Sequence, residues 1–236
     1  MNLFANEIER LLQNIMTEDW AKVLADYLSV EQLEIIQNKV RGARFKGIVY
    51  PDKEDTFKAF NFPYNNIKCV IIGQDPYFNG NADGLAFSCK MNLSPSLKQI
   101  FNARNKDLNQ YDCEYDFKRP YSLEEWAKQG VFLFNPTLTV ETKNPNSHKY
   151  IWKDFSKAII RALLWNKESL VWLVWGNSAK ESLQEVNPKF DSGHLILYNE
   201  HPASAARNNR AWKCDHFSKC NNYLKGKGME EIKWLQ

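Results

Sequence analysis

Residues 67–88 read IKCVIIGQDPYFNGNADGLAFS. The first six form a short apolar run without clean alternation, as expected of a strand covered on both faces. The run then ends abruptly in Gly73, Gln74 and Asp75, with Pro76, two aromatics and a loop carrying Gly80 and Gly84 behind them. A carboxylate at the mouth of a core strand is an expensive place for a charge unless it performs chemistry.

Three more runs of the same kind follow: VFLF (131–134), LVWLVW (170–175) and HLILY (194–198). Helical patterns separate the first three runs. SLEEWAKQG (122–130) carries Ser122 and Glu125 at capping-box spacing and ends in Gly130. HKYIWKDFSKAIIRALLW (148–165) places Ile151, Phe155, Ile159 and Leu163 four residues apart, which marks a core-facing stripe. NSAKESLQEV (177–186) predicts a shorter helix. The first 45 residues predict helices as well, with a Ser29/Gln32 capping box and Gly42 as a stop. Strand–helix alternation argues an α/β fold: a parallel sheet with right-handed crossovers and helices on both faces. There is no repeat and no linker, so residues 1–236 are expected to form a single domain, with a helical N-terminal segment (1–45) packed on it.

Composition narrows the function classes. Apolar residues make up 44%, enough for a sizeable core, and no apolar run is long enough to span a membrane. The N-terminus lacks a charged-then-apolar leader. The five cysteines are scattered, with no C-x-x-C pair to suggest zinc or an iron–sulfur cluster. A reducing compartment is therefore expected, cytoplasmic, or nuclear in a eukaryote. The net charge of +3 is concentrated: residues 201–236 hold seven Lys/Arg against three Asp/Glu. Such a segment is either a solvated helix face or a phosphate-facing surface.

The strand ends carry the functional signal. Asp75, Asn135, Asn177 and His201 each follow one of the four runs. In open α/β sheets the ligand crevice lies at the carboxyl ends of the strands, so these four are expected to converge there. Each alone is an ordinary turn residue. An Asp with a His points to general acid/base or electrostatic catalysis. Neither G-x-S-x-G nor G-x-x-x-x-G-K-[ST] occurs, and no second carboxylate accompanies Asp75, against a sugar-glycosidase pair.

The ordered set GQDPY…GLAFS, FNPTLTV, NSHK, VWG and HPAS…HFSK resembles the family 1 uracil-DNA glycosylases over nearly the whole chain. The resemblance implies a three-layer α/β/α sandwich around a four-stranded parallel sheet. It implies hydrolysis of the N-glycosidic bond of uracil in DNA, without metal or cofactor. Asp75 resembles the residue that orients water and stabilises the sugar cation. His201 resembles the neutral histidine that hydrogen-bonds uracil O2. Asn135 resembles the amide that reads the uracil edge, Tyr77 the ring that excludes the thymine methyl, and Phe87 the stacking platform. Gln74 is expected to help close the pocket, through its backbone or its amide. Ser96 resembles a phosphate-gripping serine, with a helix N-cap as its plainer role. Asn177 takes the position of a phosphate-gripping serine and can still donate, while Ala203 replaces a backbone-contacting serine with Ser204 adjacent to it. His148, His194 and His216 are expected to be structural or DNA-facing.

The chain also departs from the pattern. Phe78 stands where the family continues with His, and the NGNADG loop is one residue shorter than usual. HPASAA replaces H-P-S-P-L-S, so Ala205 aligns with the leucine that wedges into a duplex, and Arg207 or Arg210 is expected to compensate. The expected partners are uracil-containing DNA, single- or double-stranded, and a proteinaceous glycosylase inhibitor. The expected state is a monomer with no membrane association. The alternative is a non-catalytic DNA-binding or polymerase-accessory protein that kept the fold.

Overall fold

The computed structural model describes residues 3–109, 121–188 and 193–235. Cys113 lies outside the described residues. Three helices open the chain: α1 (Leu3–Gln13), α2 (Glu18–Leu24) and α3 (Val30–Lys46). The Ser29/Gln32 capping box forms in both directions at the start of α3. Gly42 does not end that helix. A Cβ there would meet nothing, so the residue is tolerated mid-helix, and α3 runs on to be capped at Gly47.

The remaining strands and α-helices among the described residues are β1 (Val49–Tyr50), β2 (Cys69–Ile72), α4 (Pro95–Asp107), α5 (Glu124–Lys128), β3 (Val131–Phe134), β4 (Val140–Glu141), α6 (Lys149–Asn166), β5 (Val171–Trp175), α7 (Asn177–Gln184), β6 (Leu195–Asn199), α8 (Pro202–Arg207) and α9 (His216–Gly226), with three short 3-10 turns between β1 and β2. All four apolar runs become strands of one parallel sheet, ordered β3-β2-β5-β6. Register aligns Val70 with Phe132 and Trp172, and Ile71 with Leu133 and Leu173. Side chains alternate across a sheet, so these two rows face opposite layers. Phe132 in the first row meets Trp20 of α2 at 4.9 Å between ring centroids. Trp175, in phase with the second row, meets Phe217 of α9 at 6.1 Å. Helices therefore cover both faces, and β2, β3 and β5 are buried throughout.

One further expectation fails locally. Ser122 and Glu125 do not form a capping box; α5 starts later, and the Ser122 hydroxyl instead accepts from the Glu124 backbone N–H at 3.3 Å. A short antiparallel pair of β1 with β4 was not legible, because two-residue strands carry no periodicity. That pair anchors the segment leading into residues 142–148, which the site uses.

Candidate active site

A cavity of about 410 Å³ opens at the carboxyl ends of β2, β3 and β6. Gly73, Gln74 and Asp75 leave β2 into it, Asn135 leaves β3, and His201 follows β6. Tyr77, Phe78, Phe87, Ser96 and Arg207 complete much of the wall. The sequence-based convergence holds for Asp75, Asn135 and His201. It does not hold for Asn177, which is exposed at the first turn of α7 and lines no part of this cavity.

Asn135 is 6% exposed, yet its carboxamide has no hydrogen-bond partner among the described residues. The amide therefore opens onto the cavity with its donor and its acceptor both available to a ligand with complementary groups. Gly73 explains how the amide fits: a Cβ at position 73 would overlap Asn135 Oδ1. The Gly73 N–H in turn donates to Phe134 O at 2.8 Å, locking the two strand ends together.

Asp75 is half-buried, and its Oδ2 accepts the Asn146 backbone N–H at 2.8 Å. Burial raises its pKa above the ordinary carboxylate value, with the Asn146 amide and its own amide pulling the other way. Gln74 donates from Nε2 to Asn146 Oδ1 at 2.9 Å, and its backbone carbonyl accepts from Thr137 N at 3.2 Å. Both routes foreseen for Gln74 are therefore engaged.

His201 is held in one tautomer. Its Nδ1 accepts the Ala203 backbone N–H at 3.1 Å, so in the neutral ring the proton sits on Nε2. Burial lowers its pKa to about 4, helped by the positive charge of Arg207. At neutral pH the ring is uncharged and still a donor. Gly176 leaves the space it needs, since a Cβ there would lie 2.8 Å from His201 Cβ.

Two aromatics frame the cavity. Phe87 adopts φ +64°, a conformation rare for a bulky residue and indicative of local constraint. Its ring packs 5.5 Å from both Trp175 and His201. The Tyr77 hydroxyl donates to Phe87 O at 3.2 Å and pairs with Ser94 Oγ at 2.7 Å, which fixes its ring as a wall. On the far side of Tyr77 lies a second hollow of about 450 Å³, bordered by Asn79, Asn92, Ser94, Ser96, Ala206 and Arg207.

The outer residues divide. Ser94, not Ser96, caps α4, accepting from Leu97 N at 3.1 Å. Ser96 is the second residue of α4, 8% exposed, with no hydrogen-bond partner among the described residues, and borders both hollows. Ala205 is fully buried, because α8 turns that position inward toward the core that includes α4; it is not an exposed wedge position. Ser204 is half-exposed, its Oγ 3.4 Å from Arg207 Nη2, and lines neither hollow. Arg210 is committed to Glu200, both guanidinium nitrogens reaching its carboxylate, and it lines neither hollow either. Arg207 borders both hollows without such a carboxylate partner among the described residues.

The other histidines line neither hollow and bond within the fold. His148 is buried with Nδ1 2.8 Å from Thr139 Oγ1, His194 Nδ1 accepts from Leu170 N, and His216 Nδ1 accepts from Trp175 Nε1. Asn146 was missed as a site residue. Its signal was present in NPNSHK, where an Asn after Pro suits a left-handed turn, and it adopts φ +63°.

Three comparisons bear on this geometry. Residues 60–225 match the model of the uracil DNA glycosylase superfamily. A uracil-DNA glycosylase of Campylobacter hominis is 40% identical over 232 residues, covering 94% of both chains. One from Dictyostelium discoideum is 42% identical over 79% of this chain, which spans 53% of that longer relative. One from Francisella tularensis is 37% identical over 91% of this chain and 97% of its own. Among solved structures, a mimivirus UNG variant in complex with UGI superposes with a TM-score of 0.79 at 24% identity, over 96% of this chain and 90% of that one. A second variant complex gives 0.73 at 26% identity, over 84% of this chain and 81% of that one.

Proposed function

This chain belongs to the uracil DNA glycosylase superfamily, and from that premise we propose that it removes uracil from DNA by hydrolysing the N-glycosidic bond, leaving an abasic site for base excision repair. The observation that carries the reading is the buried, unpartnered Asn135 carboxamide sharing one cavity with Asp75 and His201. A module that only binds DNA needs no such amide, which disfavours the non-catalytic alternative.

The chemistry follows from the groups present. One amide offers a donor beside an acceptor, and uracil offers O4 beside N3–H on the matching edge. Cytosine presents the reverse order and would leave the fixed amide mispaired. The Tyr77 ring, pinned by Ser94 and Phe87, occupies the space a C5 methyl requires. Phe87 stacks on the base face. A base inside a duplex cannot reach this cavity, so it is extruded first.

Breaking the C1′–N1 bond sends its electron pair to the uracil ring and leaves oxocarbenium character on the sugar. The Asp75 carboxylate stabilises that cation and orients the water that adds to C1′. The His201 Nε2–H donates to O2 as negative charge develops there. A neutral donor with a pKa near 4 stabilises the anion without protonating it beforehand. Ser96 and Arg207 take flanking phosphates along the second hollow.

The exposed face of α8 offers Ala203, Ser204, Ala206 and Arg207 but no large apolar side chain to fill a vacated stack. We assign a preference for single-stranded over double-stranded uracil DNA on that ground. The UGI-bound mimivirus structures motivate the further assignment of a proteinaceous inhibitor covering this cavity. The enzyme works as a monomer on DNA inside the cell, in the cytoplasm or a nucleus.

The test is incubation with single- and double-stranded uracil DNA, then alkali to convert abasic sites to breaks. The reading requires breaks at uracil, faster on single strands, and a loss of roughly 100-fold or more in Asp75→Asn with DNA binding retained. No breaks, or equal breaks from Asp75→Asn, would overturn it.

A further inference from the structure

The loop between β4 and α6 does more than connect them. Thr142 N donates to Ile48 O at 2.9 Å, beside the β1–β4 pair. Lys143 N donates to Phe78 O at 3.2 Å, docking the loop on the segment that leaves β2. Ser147 Oγ accepts from Glu141 N at 2.9 Å, and the buried His148 meets Thr139, which also accepts from Trp152 Nε1 at 2.7 Å. The loop is thus tied at both ends and braced in the middle. At its apex Asn146 holds two consecutive residues at once: its backbone N–H donates to Asp75 Oδ2 at 2.8 Å, and its Oδ1 accepts from Gln74 Nε2 at 2.9 Å.

We propose that Asn146 is a positioning residue for the glycosylase reaction, fixing the Asp75 carboxylate through its backbone and the Gln74 amide through its side chain. The proposal rests on the uracil-cleaving reading of the cavity. Two features of Asn make it suited to the place. It tolerates φ +63° better than other side-chain-bearing residues. Its short amide also reaches Gln74 without leaving the turn. The backbone N–H aimed at Oδ2 fixes the orientation of the carboxylate toward the cavity it lines. One residue therefore couples the group that closes the base pocket to the group that acts on the sugar.

Charge makes the arrangement measurable. The titratable and charged groups sharing the cavity with Asp75 are Tyr77 from its own segment, His201 ahead of α8 and Arg207 on α8. Lys149, Lys153 and Lys157 of α6 and Glu185 after α7 border the groove beyond Gln74 and Asn146, and Glu185 is paired with Lys153 and Lys157. Among the described residues, no carboxylate other than Asp75 lines the cavity itself. Asn146→Asp keeps the left-handed preference and the acceptor for Gln74, but adds a negative charge beside Asp75. Like charges at this range make ionisation harder, so the Asp75 titration moves to higher pH. Asn146→Gly keeps the backbone donor and the turn, and deletes only the link to Gln74.

The experiment is a carbon-13 NMR titration of the Asp75 carboxyl, assigned with Asp75→Asn, in the wild-type protein and both variants, alongside kcat/KM against pH on a uracil-containing single strand. The Asp75 midpoint rises by about half to one pH unit in Asn146→Asp and stays put in Asn146→Gly. In the kinetics the acid limb of Asn146→Asp moves upward by the same amount. Asn146→Gly loses about tenfold in kcat/KM at an unchanged limb, and adding Gln74→Ala costs little more. An unmoved midpoint in Asn146→Asp, or equal shifts in both variants, overturns the proposal. A merely structural role would lower the melting temperature and activity together, and would make the losses in Asn146→Gly and Gln74→Ala add instead of overlap. An inactive wild type would contradict the uracil-cleaving reading instead, while the titration still decides whether Asn146 sets Asp75.

Discussion

Gly73 and Asn135 leave adjacent strands so close together that a Cβ on the first would overlap the Oδ1 of the second. The backbone of Gly73 does not require glycine; the space does. Gly73→Ala should therefore displace the Asn135 amide while leaving the sheet intact. A shift of about 1 Å in a recognition group costs on the order of 100-fold in rate. The check is kcat/KM on a uracil-containing single strand together with circular dichroism. A folded variant with undiminished activity would show that the amide is not held by this contact.

Ala205 lies inside the core that α8 and α4 share, not at a DNA-facing surface. Ala205→Leu should overpack that contact and destabilise the protein by about 1–3 kcal/mol. It should bring no gain on duplex substrates. Urea unfolding at constant slope measures the first effect, and relative rates on matched single and double strands measure the second. An undiminished stability with faster duplex cleavage would return position 205 to the DNA face.

Arg207 and Arg210 are separated by their partners. Arg210 forms a two-pronged pair with Glu200, while Arg207 borders both hollows. The dependence of single-strand binding on salt should weaken by about 0.7 in log–log slope in Arg207→Ala, one phosphate contact's worth. Arg210→Ala should leave the slope unchanged. Fluorescence anisotropy across a salt series reads both, and the opposite ranking would reassign the phosphate contact.

Acid should destabilise the fold in a defined window. Burial lowers His201 and His216 to about 4, from an ordinary 6.5 in an unfolded chain. Between those values the unfolded chain binds protons that the folded chain does not. The contribution of these groups is complete above about pH 6.5, declines as pH falls toward 4, and is flat below. Asp75 acts in the opposite sense, because burial eases its protonation in the folded state. Calorimetric melting temperatures from neutral pH down to 4 should fall less steeply in His216→Asn, which keeps an acceptor near Trp175 Nε1. Parallel curves would remove His216 from the explanation.

Much of this architecture was legible because the four strands are apolar runs and each is followed by a polar residue able to face a ligand. Asp75, Asn135 and His201 could be placed in one crevice from the α/β rule alone. Asn177 follows the same rule in sequence, yet it starts a helix and faces solvent. Sequence order locates a strand end but not the direction in which the next turn sends a side chain. Ala205 failed for a related reason. Alignment gives a position, whereas burial depends on which face of the six-residue α8 meets α4. The Arg210–Glu200 pair spans ten residues and the Asn146–Asp75 contact seventy-one, distances over which no local pattern speaks.

The most direct measurement is mass spectrometry of the free bases released from one single-stranded oligonucleotide carrying uracil, thymine and cytosine. If Asn135 reads the base edge and Tyr77 excludes the methyl, the wild-type protein releases uracil alone. Asn135→Asp should release uracil more slowly and begin to release cytosine, because its carboxylate accepts from the cytosine amino group. Release of thymine or cytosine by the wild type, or no release of any base, would contradict the account.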